Sequence, residues 1–161
     1  MTPAERKEAK ALLAKELFEK GANCSQAVLG AFASECGLTV ETAFRLASGF
    51  GGGMARMREV CGALSGMVMV LGFLRGNGEI ESREKKDAFY KFLQEQMEKF
   101  KKQAGGSFIC RELLKNSGNE KSGENTIPVS EERTESYYKK RPCPELVALA
   151  ASLCVEALEE R

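Results

Sequence analysis

Apolar residues recur along most of the chain at the three- and four-residue spacing of amphipathic helices. The clearest case is residues 79–103, where lysines occupy the opposite face and the apolar stripe consists of Phe89, Phe92, Leu93, Met97 and Phe100. No segment shows the alternation of a strand, and no internal repeat occurs. The pattern predicts an all-α fold, a compact single-domain helical bundle of about six to seven helices over residues 1–161.

Capping residues and glycines delimit these helices. Asn23 is a suitable N-cap and Gln26 follows at the capping-box spacing. We expect helices at about 3–19, 23–37, 39–47, 59–75, 79–103 and 110–115, and from 143 to the C-terminus. Residues 116–135 are polar and predict a long loop within the domain, with the composition of a mobile segment.

Composition narrows the choice of partners and location. Lys and Arg number 24 against 23 Asp and Glu, which gives no reason to expect nucleic acid as a partner. The longest uncharged run, 60–74, is shorter than the roughly 18 residues that a membrane span needs and contains glycines, so no membrane association is expected. The first residues lack the apolar core of a signal peptide, and we therefore expect a cytoplasmic protein.

Six cysteines in a cytoplasmic chain indicate metal or redox chemistry, and the absence of histidine excludes His-containing zinc sites and Cys-His catalysis. Four cysteines fall in the first turn of a predicted helix, where free N–H groups favour the thiolate. These are Cys24, Cys61, Cys110 and Cys143. We expect the four helix starts to converge. Cys36 and Cys154 lie on apolar faces and are interpreted as buried small hydrophobic residues.

The run Cys61-Gly62-Ala63-Leu64-Ser65-Gly66 forms a CGAxxG motif, with single cysteines before and after it. The order of Cys24, this motif, Cys110 and Cys143 resembles the C_GCAxxG_C_C family of redox-active proteins over about residues 21–154. The resemblance implies a small helical protein with four shared cysteines and a redox role. Related domains occur fused to cytochromes, which implies electron transfer through an iron–sulfur cluster.

Three occupants of a four-cysteine site remain open. An iron–sulfur cluster, with the four cysteines as ligands, is favoured because four thiolates are its standard ligand set. Zinc accepts the same ligands but usually uses C-x-x-C pairs, which are absent, and would make the protein a zinc-stabilised interaction module. Metal-free thiol–disulfide exchange between two of the four is the enzyme-class alternative. Each reading leaves the redox partner protein unidentified.

Neighbouring residues offer further candidates for a cofactor site. Gly62 and Gly66 share a helix face and allow close approach of a cofactor or of another helix. Gly51 and Gly52, in the loop 49–53, could donate N–H groups to sulfide or to an anion. Arg56 and Arg58 could hold an anionic cluster or lower the pKa of a thiol, but we interpret them as solvated or ion-paired. The Phe-rich stripe of residues 79–103 suits a homodimer as well as a core.

Overall fold

A computed structural model describes residues 1–80 and 82–160. Within these ranges it contains no strand and nine helices, which are α1 (Pro3–Glu19), α2 (Cys24–Ala31), α3 (Val40–Ala47), α4 (Gly62–Arg75), α5 (Arg83–Gln103), α6 (Cys110–Asn116), α7 (Glu120–Glu124), α8 (Glu135–Lys140) and α9 (Cys143–Glu159). The all-α prediction is confirmed. The count exceeds six to seven because α7 and α8 are too short to show helical periodicity. Positions 81 and 161, which the predicted helices and domain included, lie outside the described residues.

Local capping explains where α2 begins and why it is shorter than predicted. The Asn23 side chain accepts a hydrogen bond from the Gln26 amide at 2.9 Å, and the Gln26 side chain accepts one from the Asn23 amide at 3.0 Å. The predicted capping box is therefore present. The helix ends at Ala31 rather than near position 37, because the Phe32 amide bonds to the carbonyl of Leu29, three residues back.

The core lies between four helices. α1 packs along α9, α4 packs against α2 and α9, and α2 also contacts α1. Phe18, Leu64, Met67, Leu71 and Val147 are completely buried between them. This packing brings the first turns of α2, α4 and α9 to one end of the bundle.

The polar segment 116–135 contains α7 and contacts the helical body at defined points. The Asn125 carbonyl accepts a hydrogen bond from Arg58 Nε at 3.1 Å. Arg133 donates to the carbonyls of Phe18 at 3.0 Å and Ala22 at 3.1 Å, both at the end of α1. The segment thus supplies an arginine and a backbone acceptor to the region around the cysteines.

The apolar stripe of α5 is only partly covered. Phe100 is completely buried, whereas Phe89, Phe92, Leu93 and Met97 are half-buried. The homodimer expected through this face stays a prediction. In the described part of the chain, no helix combines the length and apolar character that crossing a membrane requires.

Gly66 is a point of close contact between α4 and α2. A Cβ built there would lie 2.8 Å from Val28 Cβ and 2.9 Å from the Ser25 carbonyl oxygen. We expect Gly66→Ala to lower the free energy of unfolding by about 1–3 kcal/mol through overpacking. Gly72→Ala on the same helix, where a Cβ meets nothing within 4 Å, should instead raise it by up to about 1 kcal/mol. Urea unfolding followed by circular dichroism measures both, and equal losses would contradict the packing role.

Candidate cysteine site

Four helices begin at one small cavity. Cys24, Cys110 and Cys143 are the first residues of α2, α6 and α9, and Cys61 is the N-cap of α4. All four line a cavity of about 70 Å³, here called the cysteine cavity. The structure thus brings together the four cysteines selected from the sequence, and all six cysteines of the chain are free thiols.

A short backbone pairing aligns two of the four cysteines. Val60 and Ile109 form an isolated antiparallel bridge. Beside it, the Cys61 amide donates to the Phe108 carbonyl at 2.8 Å and the Cys110 amide donates to the Glu59 carbonyl at 2.6 Å. These bonds fix the start of α6 beside the start of α4.

The chain approaches Cys61 through a turn with left-handed backbone. Gly52 and Gly53 have positive φ, as do four non-glycine residues, Met54, Ala55, Arg56 and Arg58. A non-glycine residue in this conformation costs on the order of 1–2 kcal/mol. Strain of this kind persists only where the surrounding structure imposes it and is concentrated at functional sites.

The turn directs Arg58 inward. Its side chain is only 4% exposed, and Nη1 lies 3.8 Å from Cys110 Sγ. The interpretation of Arg58 as solvated or ion-paired is therefore wrong, and the alternative that it lowers the pKa of a thiol agrees with its effect on Cys110. The glycines before Arg58 permit the unusual backbone path, but they do not indicate that its side chain points inward.

The four glycines proposed for cofactor contact have different surroundings. Gly52 and Gly62 line the cysteine cavity, and a Cβ at Gly62 would lie 3.2 Å from Cys24 Cβ. Gly51 packs against the Asn23 side chain and lines a neighbouring cavity. Gly66 lies against α2, away from the lining of the cysteine cavity. The structure thus brings two of the four glycines to the cysteines.

Cationic and aromatic side chains that the sequence analysis did not select complete the lining. Arg133, Tyr137 and Arg141 line the cavity together with Arg58. Arg141 is buried and forms an ion pair with Glu131, and its guanidinium lies 4.9 Å from the Tyr137 ring centroid. The available signal was the cluster of arginines and tyrosines just before Cys143 in an otherwise polar segment.

The environment separates the acidities of the four thiols. A side-chain hydrogen bond from Cys24 lowers the pKa of Cys143, and Arg141, Arg133 and Arg58 lower it further. The same hydrogen bond, with burial, raises the pKa of Cys24. These opposite directions favour the thiolate at Cys143 over the thiolate at Cys24.

The other two thiols are held in the protonated form. Burial raises the pKa of Cys61 to about 12, against the opposing effect of the first amides of α4. Burial also raises the pKa of Cys110, although Arg58 opposes it. Only Cys143 has a lowered pKa, and its causes are Cys24 and the three arginines rather than the start of α9. The expectation that each helix start favours a thiolate is therefore not met: burial raises the pKa of Cys61 and Cys110, and Cys143 together with burial raises that of Cys24.

The placement of the donor side chains decides whether the four cysteines could hold a metal ion as they stand. Among residues 1–80 and 82–160, no three or more Cys, Asp or Glu side chains are placed so that they could hold a metal ion. As positioned, the four sulfurs therefore do not form a ready ligand set.

The remaining two cysteines lie apart from the cysteine cavity. Cys36 is 3% exposed and Cys154 is completely buried. Burial raises the pKa of both thiols. Their surroundings agree with the interpretation of both as small hydrophobic residues of the core.

Comparison with known proteins gives one family match. The family model described as "Putative redox-active protein (C_GCAxxG_C_C)" matches residues 22–157, which include all four cysteines of the cavity. Neither the curated proteins nor the solved structures gave a match.

Proposed function

We propose a thiol–disulfide redox function for this chain, which belongs to the C_GCAxxG_C_C family of redox-active proteins. Cys143 is the attacking thiolate and Cys24 the resolving thiol. The observation that carries the proposal is the placement of Cys24 and Cys143, the first residues of α2 and α9, on one cavity that three arginines also line. The lowered pKa of Cys143 and the raised pKa of Cys24 support the assignment of roles. A cytoplasmic location, where thiols are kept reduced, forms part of the proposal.

The exposure of the two sulfurs supports this division of roles. Cys143 is half-buried, whereas Cys24 is buried. We therefore assign the attack on an incoming disulfide to Cys143. Arg58, Arg133 and Arg141 stabilise the Cys143 thiolate and so increase the fraction of the nucleophilic form at a given pH.

The reaction balances as a two-electron exchange. The Cys143 thiolate attacks one sulfur of a substrate disulfide, a Cys143–substrate bond forms, and the substrate S–S bond breaks to release one thiolate. Cys24 gives its proton to that thiolate and attacks Cys143 Sγ. The mixed disulfide breaks, the Cys24–Cys143 disulfide forms, and the second substrate thiolate leaves. A dithiol on a partner protein restores the reduced form by the reverse sequence.

An iron–sulfur cluster is the second candidate, and a specific observation favours it. All four cysteines line one cavity whose walls also hold three arginines, which would balance an anionic cluster. Cluster binding would require the sulfurs to move into a ligand arrangement. Anaerobic purification after expression with iron and sulfide supply, followed by a visible spectrum and assays for iron, sulfide and zinc, separates this candidate from the thiol mechanism.

The thiol mechanism predicts that Cys24→Ser traps the intermediate. Reduced protein treated with 2-hydroxyethyl disulfide should give a stable mixed disulfide on Cys143, because no resolving sulfur remains. The wild-type protein should instead lose two hydrogens and carry no adduct. Peptide mass spectrometry distinguishes these products. Cys36→Ser is the control and should behave as wild type, whereas adduct-free Cys24→Ser or an adduct on another cysteine would contradict the assignment.

A further inference from the structure

A second cavity adjoins the cysteine cavity. It has a volume of about 260 Å³ and is here called the arginine cavity, after Arg56, Arg58, Arg133 and Arg141 in its walls. The last three of these also line the cysteine cavity. The two cavities therefore share part of their walls, and Cys143 lies in the wall of the adjoining one.

Arg56 has unused hydrogen-bonding groups at this cavity. Its Nε and Nη2 are buried and have no hydrogen-bond partner among the described residues. These two nitrogens form one edge of the guanidinium, the edge that binds both oxygens of a carboxylate or other oxyanion. Leaving such charged donors buried and unpaired costs free energy that a bound anion would recover.

The charge of the cavity walls is also unbalanced. Among the described residues the four arginines are accompanied by one carboxylate, Glu131, which pairs with Arg141. Arg133 donates hydrogen bonds to the backbone carbonyls of Phe18 and Ala22. Arg58 likewise donates to the backbone carbonyl of Asn125. None of these carbonyls carries a net charge that would balance the arginines. Arg58 also contacts Cys110 Sγ. The cavity therefore favours a negatively charged ligand.

We propose that the arginine cavity binds a carboxylate of a small disulfide or thiol substrate, while the substrate sulfur reaches Cys143. Arg56 holds this carboxylate through Nε and Nη2 after its side chain turns to expose them to the cavity. The reaction at Cys143 in this proposal rests on the thiol–disulfide function proposed above; the binding of a carboxylate at Arg56 does not. The substrate class is thus small anionic thiols and disulfides rather than neutral or cationic ones. Arg56 is a positioning residue that contacts the substrate carboxylate.

Substrate charge can be varied at nearly constant size. In the Cys24→Ser background, mixed-disulfide formation on Cys143 is timed by mass spectrometry with 3,3′-dithiodipropionate, 2-hydroxyethyl disulfide and cystamine. We expect the dicarboxylate to react fastest, and Arg56→Gln to slow that reaction about tenfold or more. The rate with the neutral 2-hydroxyethyl disulfide should change less than about twofold in Arg56→Gln. Arg45→Gln, on an exposed arginine of α3 away from the cavity, is the matched control and should leave every rate unchanged.

Binding is measured separately with a sulfur-free ligand. Calorimetry at low salt should detect adipate, fail to detect 1,6-hexanediol, and lose the adipate signal in Arg56→Gln. If Arg56→Gln is unfolded by circular dichroism, Arg56→Lys keeps the charge, loses the two-nitrogen edge and should bind adipate more weakly. Adipate binding that depends on Arg56, without any disulfide reaction, would refute the proposed thiol–disulfide function but support carboxylate binding in the arginine cavity. A disulfide reaction that depends neither on substrate charge nor on Arg56 would refute carboxylate binding but support the proposed function.

Discussion

Replacement of Cys143 by Ser is expected to slow the reaction with small disulfides at least about 100-fold at pH 7, because no remaining thiol supplies enough thiolate. Burial raises the pKa of Cys61 to about 12, so little of this thiol is ionised at pH 7. Cys143 and burial raise the pKa of Cys24, burial raises the pKa of Cys110, and the effect of burial persists when Cys143 is replaced. Stopped-flow absorbance with an aromatic disulfide measures the rates.

The control for this variant is Cys61→Ser. Serine is a good N-cap residue, so the substitution preserves the start of α4. We expect its rate to stay within about threefold of wild type, since Cys61 contributes little thiolate. A Cys143→Ser protein that reacts as fast as wild type would refute the role of Cys143. Loss of redox activity in Cys61→Ser as well as in Cys143→Ser would instead favour the cluster, which needs all four ligands.

The pH dependence has a definite sign. The Cys24 hydrogen bond and the three arginines lower the pKa of Cys143, so its thiolate is present above that lowered value and is lost as the pH falls through it. The wild-type rate should therefore rise with pH and level off below the pH at which an ordinary thiol ionises. A midpoint at or above that of a free cysteine, measured in the same buffers, would contradict the thiolate assignment.

Replacement of Gly53 by Ala is expected to reduce the free energy of unfolding by about 3 kcal/mol or more, since left-handed strain and overpacking act together. Gly53 has φ +75°, and a Cβ there would lie 2.6 Å from the Glu59 amide nitrogen and 2.7 Å from Cys110 Cβ. The turn that carries Arg58 would have to move. Urea unfolding followed by circular dichroism gives the loss.

Gly49→Ala provides the comparison for this variant. A Cβ at Gly49, in the same loop, meets nothing within 4 Å. We expect Gly49→Ala to change the free energy of unfolding by no more than about 1 kcal/mol in either direction. If Gly53→Ala and Gly49→Ala unfold at the same urea concentration, the close approach of the loop to Cys110 is not a structural requirement.

Local signals account for the part of the fold that the sequence predicts. The Asn23–Gln26 capping box spans four residues, and the apolar residues of α4 and α9 recur over several turns. The cysteines at the helix starts follow from the same short-range chemistry. α7 and α8 were missed because five or six residues hold too few turns for a periodic pattern.

The residues missed at the site depend on contacts distant in sequence. Arg133 bonds to the Phe18 carbonyl, which is 115 positions away. Left-handed backbone at Met54, Ala55 and Arg56 opposes the preference of each residue and is imposed by the surrounding packing. The acidity of each thiol likewise depends on burial, which reverses the effect of the helix start at Cys61. Residue type and spacing alone predict neither these long-range contacts, nor the left-handed backbone, nor the acidity of the thiols.

The central claim is that Cys24 and Cys143 form the redox couple, and disulfide mapping tests it most directly. Protein purified anaerobically, assayed for iron, sulfide and zinc, is equilibrated in buffers of graded dithiol-to-disulfide ratio, blocked with an alkylating reagent and digested for mass spectrometry. We expect one reversible disulfide between Cys24 and Cys143 in protein free of metal, with the other four cysteines alkylated. Stoichiometric iron and sulfide that depend on all four cavity cysteines, or a different reversible disulfide, would contradict the account.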